Sequence, residues 1–232
     1  MKNSESLFRE YLNKPIAERD AIIIDPEYNE KIVAFVDILG MSDYMRKIDK
    51  QTSDAREKYD NINSTSEIFY SIFQNDKRFS RMVISDSFVI STSLDSLSDL
   101  IENLSLLQLR FLEETGFFLR GAIAYDNVID NIEKNKIIGP AFVLAHDLES
   151  KIVIYPRIII DESIKTDINV KLKEDSDNFK FIDYLSNLSS DDCKNIDRII
   201  LDWDKEMITN KAIIQKRNWF IKYYNEKKQE TK

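Results

Sequence analysis

The sequence predicts an α+β fold of the ferredoxin-like type, in which an antiparallel-containing sheet is flanked by helices and followed by a helical C-terminal extension. Short apolar runs typical of strands alternate with longer runs whose apolar residues recur every three or four positions, as they do in helices. Two central strand candidates adjoin as a hairpin. This order suits an α+β sandwich better than a doubly wound parallel sheet.

The length and composition of the chain predict one catalytic domain. A chain of 232 residues with 43% hydrophobic content can bury one full core but has little room for two independent enzymatic domains. Only four Gly and four Pro argue against a disordered or fibrous chain. We predict an N-terminal helical arm over residues 1–30, a catalytic domain over 31–165 and an accessory, mostly helical extension over 166–232.

The rarer residue types exclude several classes of site. Cys193 is the single cysteine, which excludes an intrachain disulfide, and with His146 as the single histidine a zinc site of Cys and His ligands is excluded as well. Any metal site must therefore use carboxylates. The start of the chain lacks signal-peptide features and no apolar run approaches membrane-spanning length, so we expect a cytoplasmic protein without membrane contact.

The net charge of −8 disfavours nucleic acid as a partner, because nucleic-acid binding needs a basic surface. The C-terminal stretch is nevertheless locally basic. We interpret it as a solvated or dimer-facing helix rather than a polyanion site. Its cations are Lys211, Lys216, Arg217, Lys222, Lys227 and Lys228.

The first predicted elements are a strand and two helices. Residues 32–37, Ile-Val-Ala-Phe-Val-Asp, form a short apolar run that ends in an acid and reads as a strand. A polar helical run over 42–49 and an amphipathic helix over about 53–75 follow. The next two runs, 79–84 and 88–92, are strands joined through three turn-forming residues, Ser-Asp-Ser, and so predict a hairpin.

The second half repeats the alternation of helix and strand. Leucine, isoleucine and phenylalanine recur at helical spacing, and a glycine follows where a C-terminal cap belongs. A proline opens a later helix at its first turn. The predicted elements are a helix over 96–114, a strand over 117–125, a polar loop near 126–135, a helix over 140–150, a strand over 152–160, and helical structure beyond residue 161, especially over 192–225.

Two acids lie at predicted strand ends. Asp37 ends the first strand and Asp86 lies at the bend of the hairpin, where burial of a carboxylate is costly without a cation or hydrogen bonds. Magnesium bound to substrate phosphates uses one or two carboxylates, waters and sometimes a backbone carbonyl, here that of Ile38. Free N–H groups over residues 39–42 would then hold phosphates. The alternative is that Asp37 caps a helix and Asp86 only forms a turn.

At these residues the chain resembles the class III nucleotidyl cyclases. Their first metal-binding strand reads Phe-x-Asp-Ile-x-Gly-Phe, and here residues 35–41 read Phe-Val-Asp-Ile-Leu-Gly-Met. Their second metal acid follows a glycine in a hairpin, where this chain has Ser85 before Asp86. The family strand Arg-Val-Gly-Ile is similar to residues 120–123, Arg-Gly-Ala-Ile. The resemblance spans about residues 31–160.

This resemblance implies a set of site residues. Metal ligands for Mg²⁺ or Mn²⁺ would be Asp37, Asp86 and the carbonyl of Ile38. The triphosphate would contact Arg120, whose alternative role is an ion pair with a neighbouring carboxylate. The implied phosphate-binding residues are Leu39, Gly40, Met41, Ser42 and Arg120, and the catalytic residues are Asp37, Asp86 and Arg120.

Three further side chains are candidates for nucleoside contacts. Phe35 lies two residues before Asp37 and therefore on the same strand face, although an ordinary core phenylalanine would have the same pattern. Lys136 and Arg81 lie at or beside positions that read the base in relatives. For both of them the alternative is a solvated surface side chain. Arg157, between apolar strand residues, requires either a structural ion pair or a substrate contact.

Departures from the family pattern point to a pyrimidine substrate. The transition-state asparagine and arginine of adenylyl and guanylyl cyclases fall on Val143 and Asp147, and the purine-reading lysine and aspartate fall on Met82 and Lys136. The chain looks instead like the cyclases of bacterial Pycsar antiphage systems. The recurring segments lie here at 120–123 (Arg-Gly-Ala-Ile), 139–141 (Gly-Pro-Ala), 148–149 (Leu-Glu) and 155–160 (Tyr-Pro-Arg-Ile-Ile-Ile).

That likeness implies a uridylate cyclase that converts UTP to cyclic UMP and pyrophosphate during phage infection, with CTP and cyclic CMP as the alternative. It further implies a homodimer with two equivalent sites and a separate effector that the product activates. A rival hypothesis is a catalytically silent, ferredoxin-like nucleotide-binding module, supported by Val143 and Asp147. A diguanylate-cyclase relative is a distant third, because the hairpin lacks that family's glycines.

Overall fold

The computed structural model describes residues 28–46, 48, 55–131, 136–165, 171–205 and 210–230. Most of the predicted N-terminal arm, residues 1–27, lies outside this part of the chain, as do the first residues of the helix predicted to begin near residue 53. The strands are β1 (Tyr28–Leu39), β2 (Ser80–Ile84), β3 (Ser87–Thr92), β4 (Phe118–Asn131), β5 (Lys136–Ile138), β6 (Ile158–Ile160), β7 (Leu172–Glu174) and β8 (Lys180–Ile182).

The described helices lie in the order that the sequence predicts. None of them is long and apolar enough to cross a membrane. They are α1 (Met41–Arg46), α2 (Ala55–Phe73), α3 (Leu97–Thr115), α4 (Pro140–Lys151), α5 (Ser190–Lys205) and α6 (Lys211–Glu230).

The strands form one mixed sheet in the order β2-β3-β1-β4-β6-β8-β7, and β5 pairs with the end of β4. The central strand β1 is antiparallel to both of its neighbours, β3 and β4. Strands β4 and β6 are parallel, because helix α4 connects them as a crossover. The predicted α+β class, with a mixed sheet flanked by helices, is confirmed.

Four segments differ from their predictions. Residues 28–30, predicted as the end of a helical arm, are the start of β1. The loop predicted near 126–135 is strand up to Asn131 and is followed by β5, because Val128 and Ile137 are buried and anchor this hairpin. The strand predicted over 152–160 is shortened to Ile158–Ile160. Beyond residue 161, β7 and β8 extend the sheet before the predicted helices begin. Strands β5, β7 and β8 have three residues each, which is too short for a clear apolar period.

The alternation of β1 divides the core between the two faces of the sheet. Ile32, Ala34 and Val36 point to one face, which α2 and α3 cover. There the rings of Phe69 and Phe88 stack with centroids 4.5 Å apart. Val33, Phe35 and Asp37 point to the other face, where Ala141 and Ala145 of α4 pack against the first two. The candidate acid therefore lies on the α4 face.

Arg157 is a structural residue. Its side chain is fully buried and forms ion pairs with Asp175 and Asp177 in the loop between β7 and β8. The indole of Trp219 donates a hydrogen bond to Asp175 Oδ2 at 2.8 Å. Because the guanidinium of Arg157 is fully buried, a substrate cannot reach it. Of the two roles that the sequence leaves open for Arg157, the structure has the ion pair.

Candidate active site

Strand pairing brings Arg120 and Ser87 to Asp37. In β1, Asp37 lies opposite Ser87 of β3 on one side and Arg120 of β4 on the other. Directly opposed residues of antiparallel strands point to the same face of the sheet. Arg120 Nε lies 3.2 Å from Asp37 Oδ2, and the Ser87 hydroxyl donates to Asp37 Oδ1 at 3.4 Å. Asp37, Ser87 and Arg120 are far apart in the sequence, and the pairing of β1 with β3 and β4 brings them together.

The hairpin between β2 and β3 holds Asp86 beside the end of β1. The turn is made by Ser85 and Asp86, and Ser85 adopts the left-handed conformation with φ 56°. The N–H of Ile38 donates to the carbonyl of Asp86 at 3.1 Å, which ties the turn to the strand end. The hydroxyl of Ser42 donates to Asp86 Oδ2 at 3.0 Å. Both aspartates therefore lie at the same end of the sheet.

The electrostatics of this strand end favour a bound cation. Burial raises the pKa of Asp37, the nearby negative charge of Asp86 raises it further, and Arg120 opposes both by its charge and hydrogen bond. Two carboxylates held this close in a partly dry site repel each other. A divalent cation between them would remove that repulsion.

The residues present fit Mg²⁺ or Mn²⁺ as partial ligands. Both ions prefer oxygen donors, and a magnesium ion that bridges to substrate phosphates needs only one or two protein carboxylates. In an antiparallel strand the N–H and C=O of one residue point to the same side, so the carbonyl of Ile38 points towards Asp86, as its N–H does. Among the described residues, no cluster of three or more His, Cys, Asp or Glu side chains can enclose a metal. Substrate oxygens and water must complete any coordination.

Glu149 lies beside Arg120 and was not among the candidate residues predicted from the sequence. Its carboxylate is buried, with Oε1 2.7 Å from Arg120 Nη2 but without hydrogen-bond alignment. Burial raises the pKa of Glu149 to about 7; Arg120 lowers it, and Asp37 and Asp86 raise it. Glu149 follows Ala141 and Ala145 at four-residue intervals, so its place on the buried face of α4 was the available signal.

Each nitrogen of the Arg120 guanidinium has one partner, which leaves two of its five N–H groups without one of these contacts. Nε contacts Asp37, Nη2 contacts Glu149, and Nη1 donates to the carbonyl of Val153 at 3.0 Å. Of the alternatives for Arg120, the ion pair with a neighbouring carboxylate is therefore present. These contacts fix the planar group at the edge of the site.

The segment from Leu39 to Ser42 turns the chain from β1 into α1. Gly40 has φ 83°, a conformation that favours glycine, and its carbonyl accepts from the N–H of Tyr44 at 3.0 Å. Met41 is buried, and the Ser42 side chain contacts Asp86. The predicted phosphate-binding segment is therefore contiguous with both aspartates.

The predicted nucleoside contacts do not gather at Asp37. Phe35 is 7% exposed, with its ring edge-on to His146 at 5.0 Å. Arg81 lies on the opposite face of the sheet and donates to backbone carbonyls, including that of Gln74 at 3.0 Å. Lys136 lies opposite Asn131 at the far end of β4. Within one chain, only Phe35 shares the face of Asp37, and it does so as a core residue.

Three adenylyl cyclase structures are among the solved structures that match the chain. No family model matches the chain, and no curated protein matches it. A bacterial light-regulated adenylyl cyclase matches with a TM-score of 0.52 and 16% identity over 84% of this chain. A second structure of a bacterial light-regulated adenylyl cyclase has a TM-score of 0.48 and 17% identity, covering 75% of this chain and 100% of that one. The adenylyl cyclase CyaB from P. aeruginosa has a TM-score of 0.37 and 16% identity, covering 59% and 80%.

The first of these matches establishes the fold. The chain spans 65% of the length of that light-regulated protein. The other two scores lie below 0.5 and add nothing to the assignment. At 16% identity the likeness concerns the course of the backbone, and the chemistry must be argued from the residues of this chain. The chain therefore shares its fold with the matched part of that adenylyl cyclase.

Proposed function

We propose that this protein is a nucleotidyl cyclase, which joins the ribose 3′-oxygen of a nucleoside triphosphate to its α-phosphorus and releases pyrophosphate. The observation that carries the proposal is the meeting of Asp37, Asp86 and Arg120 at one end of the sheet. Phosphoryl transfer needs groups that hold a cation and groups that bind phosphate oxygens. The two acids can hold the cation, and the arginine can bind the phosphate oxygens. The adenylyl cyclase with the same fold supports the reaction class.

Each residue has a separate task in this proposal. Asp37 and Asp86, with the carbonyl of Ile38, would hold Mg²⁺ or Mn²⁺, which when bound neutralises phosphate charge. Arg120 presents planar N–H donors to the leaving pyrophosphate, where negative charge grows during the reaction. Glu149 and the carbonyl of Val153 keep that guanidinium in place. Helix α4 and the sheet limit the access of water to the ion pair of Arg120 and Glu149.

The proposed substrate is UTP and the product cyclic UMP, with CTP and cyclic CMP as the alternative. The support is the chemistry of two positions that read purines in the cyclases that this chain resembles. A lysine is replaced by Met82 on β2 and an aspartate by Lys136 on β5, and these two strands contact each other. A thioether in place of an ammonium removes a donor, and an ammonium in place of a carboxylate removes an acceptor.

The proposed biological role is signal generation in antiphage defence, with a separate effector that responds to the cyclic nucleotide. This role rests on the sequence resemblance to the Pycsar cyclases.

The proposed active species is a two-fold homodimer. Ile138 and Val143 are each 57% exposed, and covering such apolar side chains is what an interface between copies would do. We expect a dimer in sedimentation velocity at concentrations where turnover is measured; an active monomer would contradict it.

Incubation of the purified chain with each of the four common NTPs, with Mg²⁺ or Mn²⁺, tests the reaction. We expect mass spectrometry to detect cyclic UMP from UTP and pyrophosphate in equal amount. Cyclic CMP from CTP as the main product would favour the alternative specificity.

The second candidate function is a silent nucleotide-binding module, which Val143 and Asp147 favour because they replace transition-state groups. Binding of an NTP without any cyclic product would establish that candidate instead.

A further inference from the structure

Helix α6 of the C-terminal extension packs onto the strand that carries Arg120. Phe118 lies two residues before Arg120 in β4 and points to the same face. The ring of Phe118 packs against Phe220 of α6 with centroids 4.9 Å apart. Lys216 lies four residues before Phe220 and therefore on the same side of the helix.

Lys216 lies on α6 between two residues that are held close to Arg120. Phe220, one helical turn later, packs on Phe118, and Gln215, the preceding residue, contacts Tyr155. The charge of Lys216 interacts with the charges of Arg120 and Asp37, as expected for that position.

A second set of contacts fixes the same end of α6 next to the site. The side chain of Gln215 donates to the hydroxyl of Tyr155 at 3.2 Å, and the ring of Tyr155 stacks on Trp219 at 5.4 Å. The loop that carries Tyr155 also supplies the carbonyl of Val153 that accepts from Arg120. Helix α6 and Arg120 are thus attached to one short loop.

Among the described residues Lys216 has no ion pair and no hydrogen bond, and its electrostatic interactions are with Arg120 and Asp37. Burial lowers the pKa of Lys216, the positive charge of Arg120 lowers it further, and Asp37 opposes both. A partly buried ammonium beside a guanidinium is unfavourable in the free protein. A polyanion bound between the two cations would convert that repulsion into attraction.

We propose that Lys216 is a triphosphate-binding residue, which together with Arg120 forms a two-cation cradle for the β- and γ-phosphate oxygens of the substrate. The inference rests on the proposed cyclase function and extends it to the C-terminal helix. It replaces our interpretation of Lys216 as part of a solvated or dimer-facing helix. Other cations of that stretch have different roles: Lys228 pairs with Asp197, and Lys227 with Asp183.

Calorimetric titration of the full chain with inorganic tripolyphosphate and Mg²⁺ tests the cradle independently of the base. We expect Lys216→Ala to weaken binding about 10-fold or more, because a charge-assisted hydrogen bond and its charge are lost. Lys216→Arg should retain most of the affinity. Lys222→Ala is the matched control, since Lys222 is an exposed lysine on the same helix.

The outcomes separate this inference from the proposed function. If the wild-type chain forms a cyclic nucleotide but Lys216→Ala binds tripolyphosphate as tightly as Lys222→Ala, Lys216 is not a phosphate contact and the cyclase assignment stands. If no NTP is cyclised, the assignment is wrong, and the tripolyphosphate titration still decides the role of Lys216. Equal thermal unfolding of the variants excludes a loss of binding through misfolding.

Discussion

Asp37→Asn and Asp86→Asn should each abolish cyclic-nucleotide formation, with turnover reduced about 1,000-fold or more. A neutral amide oxygen is a poor ligand for a divalent cation. Electrostatic stabilisation of the transition state by such an ion lowers the activation barrier by several kcal/mol. Asparagine keeps the size of aspartate, and at position 37 it can still accept the hydrogen bond from Ser87. The loss should therefore concern chemistry rather than folding. Initial rates with the preferred NTP measure it.

An exposed acid supplies the control for this pair of variants. Glu102 lies on the solvent side of α3, so Glu102→Gln removes the same charge far from the site. Its turnover should stay within about twofold of wild type, as is usual for exposed surface changes. Asp37→Asn should unfold at or above the wild-type temperature, because it removes one of two repelling carboxylates. Turnover near the wild-type rate in both aspartate variants would exclude the proposed metal site.

Gly121→Ala should cost about 3 kcal/mol of unfolding free energy and remove activity, since it forces apart the two strands that carry the site. A Cβ at this position would lie 2.4 Å from the carbonyl oxygen of Phe35 and 3.1 Å from the Cα of Val36. Both obstacles are backbone atoms, which cannot move aside as a flexible side chain would. Gly121 adjoins Arg120 and lies opposite Val36, beside Asp37. Urea denaturation and initial rates measure the two effects.

Gly116→Ala provides the comparison, since it adds the same methyl group to a glycine with open space around it. Gly116 ends α3 with φ 72°, so the expected cost is the strain of a left-handed alanine, about 1 kcal/mol. Activity should persist. If Gly121→Ala proved no more destabilising than Gly116→Ala, the close approach of β1 and β4 would not limit this position.

The site could be predicted from sequence where its signals are local. Asp37 and Asp86 stand at strand ends within short recognisable patterns. Arg81 shows the limit of such reasoning: it adjoins the base-reading position 82, but in a strand one residue changes the face. Glu149 and Lys216 reach Arg120 through packing of α4 and α6 onto the sheet. Spacing places each residue on one side of its helix, but it does not show which strand residue that side meets.

The fold could be predicted where the apolar pattern extends over many residues. The prediction failed where that pattern covers only a few residues. Helices α2 and α3 and the hairpin of β2 and β3 were assigned from many apolar positions. Strand β5 has three residues, and the strand continuation through residues 126–131 is largely polar, so a loop was the natural reading. Strands β7 and β8 are equally short, and they form because β8 pairs with β6 at the sheet edge and β7 pairs with β8.

The ion pairs of Arg157 have a consequence for how the molecule can be shortened. Its countercharges, Asp175 and Asp177, and the indole of Trp219 all come from beyond residue 165. A fragment that stopped there would leave a guanidinium in an apolar interior, which costs about 3–5 kcal/mol. We therefore expect the minimal autonomous fragment to extend through α6, with the sheet and its C-terminal segment melting in a single transition.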